Sequence, residues 1–508
     1  MASRSKGDRG YALIFVAFLL LPMVAMVGLA VDVGSFYVRA AKIQRASDAA
    51  ALAGVIHQPD SGLAESTAIA VAKENGFDPT TDPDIEIIVE DLGGQQLRVT
   101  IFDRDVDVFF SSIFLSNVEI VRFSSAEFVL PVPMGSPLNS FGNTQPVPAA
   151  GDPQFWAAIQ APFTRYEDGD PYATGCNTVP PFTNPTLGIK CQGVDINPGY
   201  RPEGYWYGVE VTADQVGLPV AVEVFDGGFY QRSSIAESTG DFVWRADLGR
   251  KPDTGYQLYD IDSTTLDYRN NPQLPGCKLE IEAETGGYKD TWATICVITP
   301  TRPGIFPLRV YTSSSAFGSF PAGWDSEGQG FNSYALRTTC ALCLEQPRLY
   351  GLGEMSILNN VGSGAVSEFF LAEVAQRHSG KTLQIRMFDP GDGSSGDFDL
   401  TLIAPSGNPQ QGCGYKSDAD PPADPLTQIL GDCTIITRVD ALPAGTENVF
   451  NGQWLTIEVP LTSYTCTDGV GNGCWWKVKY NFPASATPTD RTVWQVRVIG
   501  DPVRLVPG

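Results

Sequence analysis

The stretch Tyr11 to Val31, YALIFVAFLLLPMVAMVGLAV, constrains this chain more than any other, because it carries no formal charge. At about 1.5 Å of rise per residue, a helix of this length spans roughly 31 Å, the hydrocarbon thickness of a bilayer. A buried soluble helix normally keeps a polar stripe, and this run has none. Pro22 sits mid-span, where membrane helices tolerate proline. A cleaved signal peptide is the competing reading, with a short basic start and small residues around Val27, Gly28, Leu29 and Ala30. The length of the run and the helical sequence beyond it favour retention as an anchor. Arg4, Lys6 and Arg9 against Asp8 make residues 1–10 basic and predict a cytoplasmic tail; Arg39, Lys42 and Arg45 on the far side weaken that rule.

The net charge of −24 argues against nucleic acid, whose phosphates demand a basic face. It suits a soluble, exported body, and 508 residues leave room for roughly two to four domains. All ten cysteines fall between Cys176 and Cys474. An even number, all distal to the apolar run, predicts disulfides in an oxidising compartment and agrees with a cytoplasmic N-terminus. A zinc site is disfavoured: Cys340 and Cys343 form the one CxxC, with no second pair to complete four ligands.

Residues 32–55, DVGSFYVRAAKIQRASDAAALAGV, continue the helix out of the membrane, with alanine dominating. Ala46, Ala49, Ala50 and Ala53 make a small-residue face on which another helix can pack. A break at His57–Asp60 precedes a second helix, about 62–74, closed by Asn75 and Gly76. The segment 28–54, with Asp32, Tyr37, Arg39, Gln44, Arg45, Ala46, Asp48, Ala49, Ala50, Ala51, Leu52 and Ala53, resembles the amino-terminal signature of TadG-like proteins. The resemblance implies a component of the Tad machinery, which builds Flp-type pili in bacteria, with Tad platform proteins or Flp pilin as partners. It covers under a tenth of the chain. Two departures limit what carries over. Gly10 precedes Phe15 where a TadE-type pseudopilin has Glu, so prepilin-type processing is not implied. No Asp-x-Ser-x-Ser metal site of a von Willebrand A domain occurs.

Strand-like runs at 85–89, 97–102 and 118–129, with an ambiguous, helix-leaning run Val108 to Leu115, complete a small α+β domain over 32–130. Prolines 131, 133, 137, 146, 148 and 153 mark a linker over 131–153.

The rest carries a degenerate duplication. YWYGVEV at 205–211 matches EFFLAEV at 368–374, and VAVEVFDGG at 220–228 matches LQIRMFDPG at 383–391, both at an offset of 163. NPQLPGC ending at Cys277 matches NPQQGC ending at Cys413, each followed by a cysteine at similar spacing, and SYALR at 333–337 matches VWQVR at 493–497. Alternating Val220, Val222, Val224 and Leu383, Ile385, Met387 predict strands. The expected fold is therefore α+β to mainly β: a transmembrane helix at 11–31, the α+β domain, and two tandem jelly-roll-like β-sandwich repeats at 154–345 and 346–508. Repeat equivalence pairs Cys277 with Cys296 and Cys413 with Cys433; proximity suggests Cys176–Cys191, Cys466–Cys474 and Cys340–Cys343.

The case for an enzyme is poor. His57 and His378 are the only histidines, and no GxSxG, HExxH or Cys–His signature appears. Acidic residues are plentiful, but no carboxylate pair stands out. The best ligand candidate is the loop with Asp389, Asp392, Asp397 and Asp399, an oxygen-rich, glycine-rich stretch of the kind calcium takes. Glu167, Asp168 and Asp170, with Asp226, are the first-copy counterparts. Solvated turns have the same composition. Tyr205, Trp206, Tyr207, Phe369, Phe370, Trp475 and Trp476 offer a sugar platform or, more simply, sandwich core. The expected function is association: a membrane-anchored, extracytoplasmic component of Tad/Flp pilus assembly or adhesion, not an enzyme, with no certain cofactor. The alternative is a lectin-like or wall-binding surface protein, taking a glycan and having no pilus role.

Overall fold

The computed structural model describes residues 9–506, except 59–60, 94–95, 109, 111–117, 129–130, 144–153, 162–163, 165–168, 174–196, 198, 200, 202, 230–241, 244–252, 263–267, 284–286, 314–329, 361–365, 390–397, 439–449, 451, 468–472, 483–489 and 500–502. It forms two compact units, the first built from the N-terminal part through Leu130 together with the residues after Gly500.

In the first unit, helix α1 (Arg9–Val55) runs unbroken through Pro22. Its apolar N-terminal half is long enough to cross a membrane and is almost wholly uncovered by protein, with Phe15, Phe18 and Met26 all exposed. Its second half is amphipathic by burial, with Ala40, Ile43, Ala46, Ala50, Ala51 and Val55 turned inward. Helix α2 (Ser61–Glu74) buries Ala64, Ala68 and Ala72, every fourth residue, as one face of a helix requires. Strands β1 (Ile85–Gly93), β2 (Gln96–Asp103) and β3 (Ile120–Phe128) form an antiparallel sheet. β2 alternates strictly, burying Leu97, Val99 and Ile101 under the helices. The run Val108 to Leu115 falls largely outside the described residues. The fourth strand of this sheet is Val503–Val506, from the far end of the chain, antiparallel to β3. The sequence reading assigned those residues to the second sandwich repeat. VRLV is too short to declare itself as a strand, and its partner lies some 375 residues away.

The second unit is a two-layer antiparallel β body, as the repeat and the alternation predicted. One sheet runs in the order Gln273–Ile281, Asp253–Tyr259, Gly304–Ser313, Tyr205–Val211, Arg348–Leu352, Pro133–Met134, Val366–Glu373, Trp475–Asn481, Phe398–Ile403 and Thr434–Arg438. The other runs Trp292–Ile298, Val220–Phe225, Gly330–Thr339, Gln154–Gln160, Glu354–Asn360, Asp490–Ile499, Thr382–Phe388, Trp454–Pro460, Gln411–Ser417 and Thr427–Asp432. Val220, Val222, Val224, Leu383, Ile385 and Met387 are all fully buried. One core joins the layers, and Tyr207 and Tyr334 share a buried 2.8 Å hydroxyl contact within it.

The duplication is visible in three dimensions at the offset of 163. Ala213–Gln215 and Gln376–His378 are equivalent 3₁₀ turns. Gly217 (φ +81°) and Gly380 (φ +84°) follow them, and each donates its amide at 2.8 Å, to Pro300 and Leu461 respectively. Only glycine holds that left-handed conformation without steric cost. Asp226 (φ +53°) and Asp389 (φ +60°) then end the equivalent strands, both buried.

The two repeats are joined through shared sheets: Gln154–Gln160 pairs with Gly330–Thr339 on one side and Glu354–Asn360 on the other. The stretch read as a linker is also built in at its start. Pro133–Met134 sits between the two halves, pairing Gly351–Leu352 and Ala372, and Ser140–Phe141 pairs Leu336–Arg337. Proline is acceptable there because Pro133 is the first residue of its strand.

Candidate functional site

The signature helix is the site most fully specified by sequence, and most of its signature residues bind their own domain. Asp32 is fully buried, and its two carboxylate oxygens accept from the Phe110 amide at 3.2 and 3.0 Å. Arg39 donates to Asp103 at 2.5 Å and lies over the Phe77 ring. Gln44 donates both to Asp48, one turn on, and to the Phe123 carbonyl. A residue here that neither lines the core nor pairs with the domain is a candidate for external contact. Tyr37, 75% exposed, and Arg45 qualify; Ala41 and Lys42 share their exposed side of α1.

The alanine face does not. Ala46 and Ala50 are buried in the first unit's core, with Ala49 and Ala53 half-buried. At Gly54, one residue past this face, α1 meets α2 of the same chain. A Cβ on Gly54 would come within 2.8 Å of the Ala64 carbonyl and 3.0 Å of the Ala68 Cβ, so the helices pack too closely for a side chain there. Of the expected association surface at Ala46, Ala49, Ala50 and Ala53, Ala46 and Ala50 are thus taken up by the chain's own core.

In the second unit, the cysteines pair as Cys277–Cys296, Cys340–Cys343, Cys413–Cys433 and Cys466–Cys474. Cys176–Cys191 lies outside the described residues. Cys277 and Cys296 join the edge strands of the two sheets. Of the candidate calcium loop, Asp389 and Asp399 are described, whereas Asp392 and Asp397 are not. The Asp389 carboxylate accepts from the Gly452 amide at 2.8 Å and so ties the end of the strand Thr382–Phe388 to the residues just before Trp454. Among the described residues, no three His, Cys, Asp or Glu side chains gather as a metal site. Tyr205, Tyr207, Phe369 and Trp476 are core; Trp206 joins Tyr259, Tyr350 and Leu352 in a separate cluster, and Trp475 is buried against Phe370. His378 is buried with Lys381 3.2 Å from its Nδ1, and His57 belongs to the other unit.

Sequence reasoning missed a buried polar network. Arg201 donates from Nη2 to both Glu354 oxygens, at 2.8 Å each, and stacks on the Tyr172 ring; Tyr172 and Gln495 bond to each other and to the same carboxylate. Burial and then the Glu354 charge raise the Tyr172 hydroxyl; burial is the largest single influence on Arg201 and lowers it, but Glu354, Tyr172 and Tyr205 together hold it above its ordinary value. Nearby, burial pushes Asp170 up to about 6, against the Tyr172 amide, Tyr205 and Arg201, which favour its charged form. Arg201 and Glu354 are 153 residues apart, and no local pattern announces them. Also missed was an open polar trough of about 310 Å³ on one sheet, lined by Gln257, Tyr259, Gln273, Lys278, Glu280, Arg309 and Tyr311.

Comparison with known proteins bears on the first of these sites. Residues 10–57 match the family described as putative Flp pilus-assembly TadE/G-like. This segment is TadE/G-like. The match covers α1, including Asp32, Arg39 and Gln44, and ends just past it. No curated protein matches the chain. Similar solved structures include the tandem CBM22-1–CBM22-2 domain of Paenibacillus barcinonensis Xyn10C, at 10% identity, over 56% of this chain and 79% of that one, with a TM-score of 0.13. A putative secreted protein from Parabacteroides distasonis aligns at 9% identity, over 73% and 99%, with a TM-score of 0.13. At those scores neither fixes a shared fold.

Proposed function

We propose that this chain is a single-pass, extracytoplasmic component of Tad/Flp pilus assembly or adhesion, acting by protein–protein association and not by catalysis. The observation that carries the reading is the TadE/G-like match over 10–57, a segment whose helix is long and apolar enough to cross a membrane. The cysteine pairs support an oxidising, extracytoplasmic location for the body. Partners are Tad platform proteins or Flp pilin, and the contact is the exposed side of α1 at Ala41, Lys42 and Arg45. Those cations stand out on a chain of net charge −24, so they suit an acidic partner surface.

The test is crosslinking of the full-length protein in native membranes, with mass spectrometry of what is captured. Wild type should recover Tad platform proteins or pilin, and Lys42→Glu with Arg45→Glu should lose them while the protein remains at wild-type abundance. Recovery unaffected by the charge reversal would remove that surface, and recovery of no Tad protein would remove the reading. The rival, a surface binding protein, draws on the tyrosine-edged trough; glycan binding abolished by Arg309→Ala, with no Tad capture, would favour it.

A further inference from the structure

The apolar run ends at Val31, and the next residue, Asp32, would ordinarily mark the membrane surface. The structure places neighbouring protein deeper than that. A Cβ on Gly28 would come within 2.8 Å of the Phe110 Cβ and Cγ, so Phe110 packs directly on the helix at Gly28. Gly28 is one turn inside the run, about 6 Å closer to its middle than Asp32. Phe110 is nevertheless 54% exposed, at a level where the outward neighbours on α1 are Val27, Leu29 and Val31, all exposed too. Just beyond Asp32 the helix goes on presenting Val33, Tyr37 and Val38, and the first cation is Arg39.

We propose that the Phe110 side chain inserts into the acyl region of the outer leaflet beside α1, and that the membrane surface lies near Tyr37–Arg39 rather than at Asp32. This rests on the anchoring reading above. The occupant of the exposed face is lipid, because that face is continuous with the span. One residue then serves two purposes. The Phe110 ring enters the hydrocarbon, while its amide donates to the Asp32 carboxylate, a buried charge that needs hydrogen-bond donors at that depth. Tyr37 sits where an amphipathic ring belongs, at the headgroups, with Arg39 paired to Asp103 just outside.

The probe is a tryptophan placed at each level of the full-length protein, reconstituted in phosphatidylethanolamine–phosphatidylglycerol vesicles carrying brominated acyl chains. The nine native tryptophans all lie from Trp156 onward and give a constant background. Phe110→Trp should lose roughly half or more of its added emission, as bromine at hydrocarbon depth requires. Tyr37→Trp should be quenched most by bromine nearest the headgroups. Phe123→Trp, beside Gln44 and roughly 24 Å further along α1, should be unaffected. Vesicle-retained protein with an unquenched Phe110→Trp signal would overturn the inference and leave the anchor standing. Release of the chain by alkaline carbonate would overturn the anchor, and the inference with it.

Discussion

Asp170 gives a prediction with a sign and a size. Its carboxyl is buried beside Tyr172, Tyr205, Arg201 and Glu354, and burial is the dominant cause lifting it from 3.8 to about 6. A carboxyl whose folded pKa exceeds its unfolded one binds its proton more tightly when folded. Its contribution is therefore most favourable below pH about 4, declines as pH rises to about 6, and is a constant penalty of about 3 kcal/mol above that. Asp170→Asn removes the titration and keeps an acceptor for the Tyr172 amide. Urea unfolding followed by tryptophan fluorescence reports the β body, because every tryptophan belongs to it. Taking wild type and variant at each pH cancels the other titrating groups. Between pH 7 and pH 4.5, wild type should gain on Asp170→Asn by about 2 kcal/mol. A difference that stays flat, or runs the other way, would refute the claim that Asp170 is charged against its environment at neutral pH.

Two further perturbations separate internal packing from external contact. Ala50→Leu inserts three heavy atoms into a fully buried site against the rest of the first unit, and should destabilise that unit by about 1–3 kcal/mol, read as faster hydrogen exchange in α2 and β2. Exchange left at the wild-type rate would show that the face is free after all. Ending the chain at Gly500 removes the strand Val503–Val506 and should raise exchange at the β3 amides of Ser125 to Phe128, with the β body's unfolding midpoint unchanged. A shift in the β body's midpoint instead would contradict the assignment of that strand to the first unit.

The long helix, the β character of the body and the duplication were legible in the sequence because each is written in a local period. An uncharged 21-residue run, alternation in Val220–Val224, and a repeat that keeps an offset of 163 all survive without knowledge of the fold. Connections that join distant residues were not legible. Nothing in VRLV at 503–506 marks it as a strand beside β3, and nothing near Pro133 says that it seats between two halves of a sheet. The alanine face shows a different limit. Small residues at helical spacing do state that a backbone approaches closely, but α2 of the same chain and a foreign helix write the same pattern. The Arg201–Glu354 network illustrates the last case: its members are ordinary charged residues, and only folding brings them into one buried group.

The most direct test of a Tad-associated anchor is site-specific photocrosslinking in cells that express the Tad machinery. The probe is p-benzoylphenylalanine placed singly at position 45, which is exposed on α1, and at position 223, which is part-buried on the β body. The account predicts an ultraviolet-dependent adduct with a Tad platform protein or Flp pilin from position 45 and none with either from position 223. Adducts from position 45 with lipid or wall material only, in cells where the pilus machinery is present, would contradict it.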